Sequence, residues 1–211
     1  MKISSKVALV ISLSLLIAIN TKSHATSTIG LSAGPKTAAT TGKSYAGAEA
    51  SLDLSPDSGP GIGARYAYQN QENTMVDFGL SLGSGERDVN ILLGATYEFF
   101  PDFGKQPALS LKGFYEISRM EKENYNILGV APILTKGVQA YQLEVYPFVS
   151  LPIRYIVGDK NSKGGRLSHA FTLGTLIPMK EQFHGLTLNF EAQFNLKRSF
   201  TGFVVGLSKD F

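Results

Sequence analysis

Residues Phe200–Phe211 read FTGFVVGLSKDF. Counted back from the carboxyl end, Phe211, Leu207, Val205 and Phe203 fall on one face of an extended strand. Asp210, Ser208, Gly206 and Val204 fall on the other, because strand side chains alternate with period two. Lys209 departs from the pattern on the apolar face; near a strand end its stem can lie along apolar surface while the amine reaches polar surroundings. The segment therefore reads as a terminal strand with one apolar and one polar face.

The same rhythm runs back through the chain. Thr28–Gly34 sets Ile29, Leu31 and Ala33 on one face, and Ser44–Leu54 sets alternating Ala and Leu against Glu49 and Asp53. Further runs are expected at Ile62–Gln69, Thr74–Gly83, Asp88–Phe99 and Ala108–Arg119, then at Leu167–Ile177 and Leu186–Asn195. Turn chemistry separates them, with Ser55–Gly61 (SPDSGPG) and Asp159–Arg166 (DKNSKGGR) the clearest cases. Residues 125–158 are harder to divide. Tyr125–Leu134, Val138–Tyr146 and Leu151–Gly158 all alternate, but Pro132, Pro147 and Pro152 blur their limits, since Pro donates no ladder hydrogen bond.

The amino end reads as an address. Lys2 and Lys6 precede an apolar run from Val7 to Ile19, and Ser23-His24-Ala25 offers small residues before a cut after Ala25. Residues 1–25 are thus expected to be a cleavable secretory signal peptide, and 26–211 a single domain. The apolar run is too short to cross a bilayer as a helix. Removing Lys2, Lys6 and Lys22 lowers the 20 basic residues to 17, against 17 acidic ones. With that balance a nucleic-acid partner, which needs a basic face, is not expected. The chain has no Cys, so neither a disulfide nor a lipid-modified cysteine is available.

The terminal strand ending in Phe211, the secretion signal and the alternating runs together resemble the bacterial outer-membrane β-barrel proteins, over essentially the whole of residues 26–211. The resemblance is architectural and reaches the general class only. It implies an all-β, antiparallel transmembrane barrel in the outer membrane, with outer-membrane lipids and lipopolysaccharide as its surroundings. It also implies that Phe203, Val205, Leu207 and Phe211 form the signal that the barrel-assembly machinery reads. Such barrels have an even strand number when both termini face the periplasm. Nine runs lie outside 125–158, so that region is expected to supply one or three strands. Twelve strands of about 10 residues leave about 6 residues per connection, in keeping with the turns. Twelve is the first expectation, ten the next and eight the third.

In such a barrel the polar face points inward. The lumen-lining candidates are Glu49, Asp53, Arg65, Asp77, Glu98, Lys112, Glu116, Glu144, Arg154 and Glu191. Glu116 and Glu144 are a pair that could approach across the lumen, as partners for its cations. Alternation alone does not separate this reading from a soluble sandwich with the apolar face turned in. Aromatics near run ends (Tyr45, Tyr68, Tyr97, Phe99, Phe100, Tyr155) favour the membrane.

No catalytic constellation emerges. Some outer-membrane barrels are lipid hydrolases with His and Ser two apart on one strand, whereas here Ser168 and His169 are adjacent and point to opposite faces. Thr37–Ser44 (TAATTGKS) lacks the first Gly of a phosphate loop, and Gly59–Gly63 (GPGIG) is a turn entering a strand. No metal constellation and no cofactor are expected. The functional expectation is an integral outer-membrane barrel acting as a small passive pore or a structural barrel. The alternatives are an outer-membrane lipid hydrolase and a soluble periplasmic β-sandwich or lipid-binding protein.

Overall fold

The computed structural model describes residues 44–54, 58–85, 87–120, 123–140, 143–158, 165–179 and 185–211. Their strands are β1 (Ser44–Asp53), β2 (Ser58–Gln71), β3 (Thr74–Gly85), β4 (Arg87–Phe100), β5 (Ala108–Met120) and β6 (Glu123–Thr135). β7 (Val138–Ala140), β8 (Leu143–Ser150), β9 (Ile153–Gly158), β10 (Arg166–Met179), β11 (Leu186–Lys197) and β12 (Gly202–Asp210) follow. Each pairing is antiparallel, and the first and last strands meet: Tyr45 lies opposite Ala67 of β2 on one side and Asp210 of β12 on the other. The Phe211 amide extends this seam, donating to Ser44 O at 2.8 Å. The sheet is therefore a closed barrel.

The ring has ten strands, not twelve. β8 and β9 lie end to end between the same two neighbours. Ser150 pairs with Ile133 and Ile153 with Val130 of β6, while Ser150 pairs with Thr172 and Ile153 with His169 of β10, so the register does not change across the break. The interruption at Leu151-Pro152 comes from the missing proline amide alone. Leu151 N still donates to Pro132 O (3.2 Å), and Pro152 O accepts from Ala170 N (3.1 Å). β7 pairs only with the outer end of β8 and forms a small hairpin outside the ring. The expected strand at Thr28–Gly34 lies outside the described residues, and β1 and β12 leave no edge in the ring to receive another strand. Several boundaries also differ from expectation, and the expected run Val138–Tyr146 is divided between β7 and β8. β2 begins inside the expected turn, at Ser58, through an irregular register between Ser58 and Gly61, and β12 begins at Gly202 rather than Phe200.

Rows of paired residues climb as they go round. Tyr45, at the start of β1 beside the carboxyl end, leads through Ala67, Asp77, Gly94, Phe114, Gly129 and Arg154 to Ser168, near the opposite end of the barrel. This stagger is what tilts barrel strands, by about 35–45°. The start of β1 and the end of β12 lie at one end, the termini end, with residues 72–73, 101–107 and 136–137; the other, far end carries 54 and 198–201.

The wall has an apolar outer face and a polar inner one. Outward positions carry Leu80, Leu93, Val130, Tyr155, Phe190 and Val205, all well exposed. Inward positions carry the polar and charged side chains, and Lys112, Glu116 and Arg154 have no exposed surface. Inward apolar groups form clusters along the barrel: Ile133, Tyr146, Phe148 and Leu176, and Tyr45, Ala67 and Met75, lie towards the termini end, and Leu92, Phe114 and Ala131 further up.

Candidate functional site

Among the described residues, two polar networks stand out in the interior. The first joins β2, β3 and β5. Asp77 Oδ2 is 3.1 Å from Arg65 Nη2 and 2.7 Å from Lys112 Nζ, with all three side chains at most 5% exposed. The register explains the meeting. Ala67 lies opposite Asp77, which puts Arg65 one inward position along the neighbouring strand; Thr96 lies opposite Lys112, two strands away. Lys112 reaches Asp77 across Gly94, where a Cβ would stand 2.5 Å from Asp77 Oδ1 and 2.8 Å from Lys112 Cε. A side chain at 94 would displace the ion pair. The Arg65 guanidinium also lies 5.7 Å from the Tyr45 ring centroid, a cation–π distance. On the other side of β1, Asn189 Nδ2 donates to Glu191 Oε1 at 2.8 Å.

The second network lies towards the far end. Arg154 Nη1 donates to Ser199 Oγ (3.1 Å) and Nη2 to Gln193 Oε1 (3.3 Å), while Gln193 Nε2 donates to Ser199 Oγ (3.2 Å). The β11–β12 turn is shaped for this. Arg198 takes a left-handed φ of 50°, the Ser199 amide donates to Asn195 Oδ1 (3.0 Å), and Asn195 N donates to Thr201 Oγ1 (3.1 Å). The turn folds inward and buries Ser199 and Phe200 at the barrel end. Between the networks Phe114 lies over Gly129, its cross-strand partner, with ring atoms 2.2 Å from where a Cβ would stand.

The expected lumen residues divide accordingly. Arg65, Asp77 and Lys112 come together, Arg154 joins the second network, and Glu49, Asp53, Glu116 and Glu191 are buried on inward positions. Glu98 and Glu144 are half-buried near the termini end, Glu144 in the β7–β8 hairpin opposite Gln139 and accepting from Tyr146 Oη at 2.6 Å. Glu116 and Glu144 do not meet, because Glu116 pairs with Ile127 well up the barrel. Phe203, Val205, Leu207 and Phe211 are all outward and exposed. Tyr45, grouped by sequence with the outer aromatics, faces inward. Ser168 is buried inward while its neighbour His169 is not.

No family model and no curated protein matches the chain. Among the described residues no group of three His, Cys, Asp or Glu side chains could hold a metal ion, and no helix is long and apolar enough to cross a membrane. Asn189, Gln193, Ser199 and Phe200 were not legible as site residues from sequence. The glycines at 94 and 129, on inward positions beside bulky or charged partners, were the available signal.

One clasp stands outside the barrel wall, at the termini end. Lys136 Nζ bonds Asp102 Oδ1 and donates to Gly104 O (2.7 Å), and the Gly137 amide donates to Asp102 Oδ2 (2.7 Å). Partial burial pushes the Asp102 carboxyl up, but the hydrogen bonds from Lys136 and Gly137 and the Lys136 charge outweigh it and hold the group below the usual carboxylate range. The clasp fixes the 101–107 connection, in which Phe103 is 81% exposed.

Proposed function

We propose that this chain is an integral outer-membrane β-barrel whose filled interior makes it a structural barrel rather than an open pore. The observation that carries the membrane reading is the inverted polarity of the wall. Soluble proteins rarely expose a contiguous apolar patch beyond a few hundred Å². Here Leu, Val, Ile, Phe and Tyr side chains face outward on every strand of the ring. The dimensions agree. The 12 residues of β3, rising about 3.3 Å each at a tilt of about 40°, span roughly 30 Å along the axis, the thickness of a bilayer's hydrocarbon core. Tyr68, Tyr97, Phe99, Phe100 and Phe103 sit at the termini end of the wall, where an aromatic girdle would meet the headgroups.

The choice between pore and structural barrel rests on the interior. A ring of ten is narrow, and its inward side chains are buried and bonded across the lumen. The termini end is filled by the clusters around Tyr146 and Tyr45, the far end by Arg154, Ser199 and Phe200. The connections at both ends are short, which suits a barrel that presents little surface to a partner. In this reading the termini end faces the periplasm, and Phe203, Val205, Leu207 and Phe211 are offered to the assembly machinery before insertion. No catalytic role is proposed for Ser168 and His169, which lie on opposite faces of β10.

The test is a refolding experiment with two readouts. The protein, refolded into lipid, is expected to run at a heat-modifiable position on a gel and to give no conductance steps in a planar bilayer. Stable steps would return the assignment to a passive pore. A protein that stays soluble without detergent would overturn the membrane reading itself.

A further inference from the structure

We infer that the far rim over β10 and β11 holds a lipid whose headgroup carries an exposed phosphate, gripped by Arg166, Lys197 and Arg198, with its acyl chains on the apolar wall below. Arg166 begins β10, Lys197 ends β11 and Arg198 opens the turn to β12, and all three are exposed. Among the described residues none of the three has an ion-pair partner. The described carboxylates near this rim are placed otherwise. Asp53 is buried inside the barrel, and Glu123 accepts a hydrogen bond from Tyr125 Oη at 3.2 Å.

Local chain geometry sets the cations there. Strict alternation along β11 would put residue 197 on the inner face with Glu191 and Gln193. The register slips instead: Ala170 lies opposite Asn195, but His169 lies opposite Lys197. A bulge of this kind re-aims a side chain, and Lys197 is matched with an outward residue. Arg198 then takes its left-handed φ of 50°, which turns the chain so that Ser199 is buried while Arg198 stays exposed. Just below, the outward wall is apolar. Leu196 and Leu167 are 57% and 47% exposed, and the Phe171 and Phe194 ring centroids stand 6.4 Å apart. This strip is continuous with the surface that the membrane reading gives to acyl chains. Cations without partners above such a strip match an amphiphile with its anionic group uppermost. The two guanidiniums favour phosphate, because their forked donors fit its oxygens in pairs. A soluble anion would leave the apolar strip unused.

The inference rests on the membrane reading and adds a ligand to it. Its test uses Leu196→Trp, a reporter beside Lys197 in a chain with no Trp of its own. The protein is refolded into phosphatidylcholine vesicles containing a minor fraction of phosphatidic acid, and only the phosphatidic acid is brominated along its acyl chains. Quenching then measures how much phosphatidic acid lies beside the reporter. Its apparent affinity is expected to exceed that at a Leu80→Trp reporter by about fivefold or more, which is what a single cation contributes at an anionic surface. The preference is expected to disappear when Arg166→Gln, Lys197→Gln and Arg198→Asn are combined; Asn tolerates the left-handed φ, so the turn is kept. Leu167→Trp gives the same comparison if Leu196→Trp does not fold. Equal affinity at positions 196 and 80 would overturn the site, and so would a preference that survives the triple substitution. A preference abolished by inorganic phosphate at constant ionic strength would also overturn it, because the ligand would then be phosphate alone. If brominated phosphatidylcholine fails to quench the Leu80 reporter, the membrane reading has failed instead, so the two failures are told apart.

Discussion

Replacing Asp77 with Ala should be among the most damaging single changes in this molecule. Asp77 is 1% exposed and is the shared partner of Arg65 at 3.1 Å and Lys112 at 2.7 Å. Removing it strips two buried cations of the carboxylate between them. Breaking a buried ion pair from one side costs about 3–5 kcal/mol, because the charge left behind has lost both water and partner. Glu49 and Glu191 lie close enough to offset part of this, so the loss is set at about 3 kcal/mol, or roughly a 150-fold change in the folding equilibrium. The assay is urea unfolding of the refolded protein, followed by the heat-modifiable gel band. An Asp77→Ala protein within about 0.5 kcal/mol of wild type would refute the reasoning. It would mean that these charges are bathed in water and that the lumen is open.

Three further outcomes are expected. Gly129→Ala drives a Cβ into the Phe114 ring and should cost about 1–3 kcal/mol in the same unfolding assay, largely recovered by adding Phe114→Leu. Leu80→Arg, on an outward position midway along β3, should cost roughly 2–4 kcal/mol when the protein is folded in a bilayer, against a few tenths if that face meets water. The Asp102 clasp should depend on acid. Because the folded carboxyl is held below its unfolded value, its contribution is fully present above about pH 4 and fades as the pH falls through the folded value. Amide exchange at Gly137 should therefore be faster in Asp102→Asn than in wild type at neutral pH, with the difference vanishing in strong acid.

The strands themselves were largely written in the alternation. Leu186–Asn195 and Ser44–Leu54 fold almost at their expected limits, because a period of two is a local property that each segment declares alone. The strand number was not local. Val138–Tyr146 and Leu151–Gly158 read as two runs with Pro147 and Pro152 blurring their limits, and only the registers reveal that Leu143–Gly158 holds one position in the ring between β6 and β10 while Val138–Ala140 lies outside it. The direction of the faces was likewise hidden, since alternation looks the same whichever side is buried. The networks depend on registers as well. Arg65 and Lys112 are far apart in sequence, and nothing in either neighbourhood states that both reach Asp77. The Arg154 network needed a left-handed turn at Arg198, a residue with no turn signature of its own. Tyr45 was misgrouped because nearness to a strand end says nothing about face.

The most direct test of the central claim uses the absence of Trp from the chain. A single Trp placed at Leu80, outward at mid-wall, reports what touches that surface. In vesicles of lipid brominated midway along the acyl chain, its fluorescence is expected to be strongly quenched relative to unbrominated vesicles, while a Trp placed at the buried inward position Leu92 stays bright. Equal fluorescence of the Leu80 reporter in the two kinds of vesicle would contradict the account, because the apolar wall would then not be facing lipid.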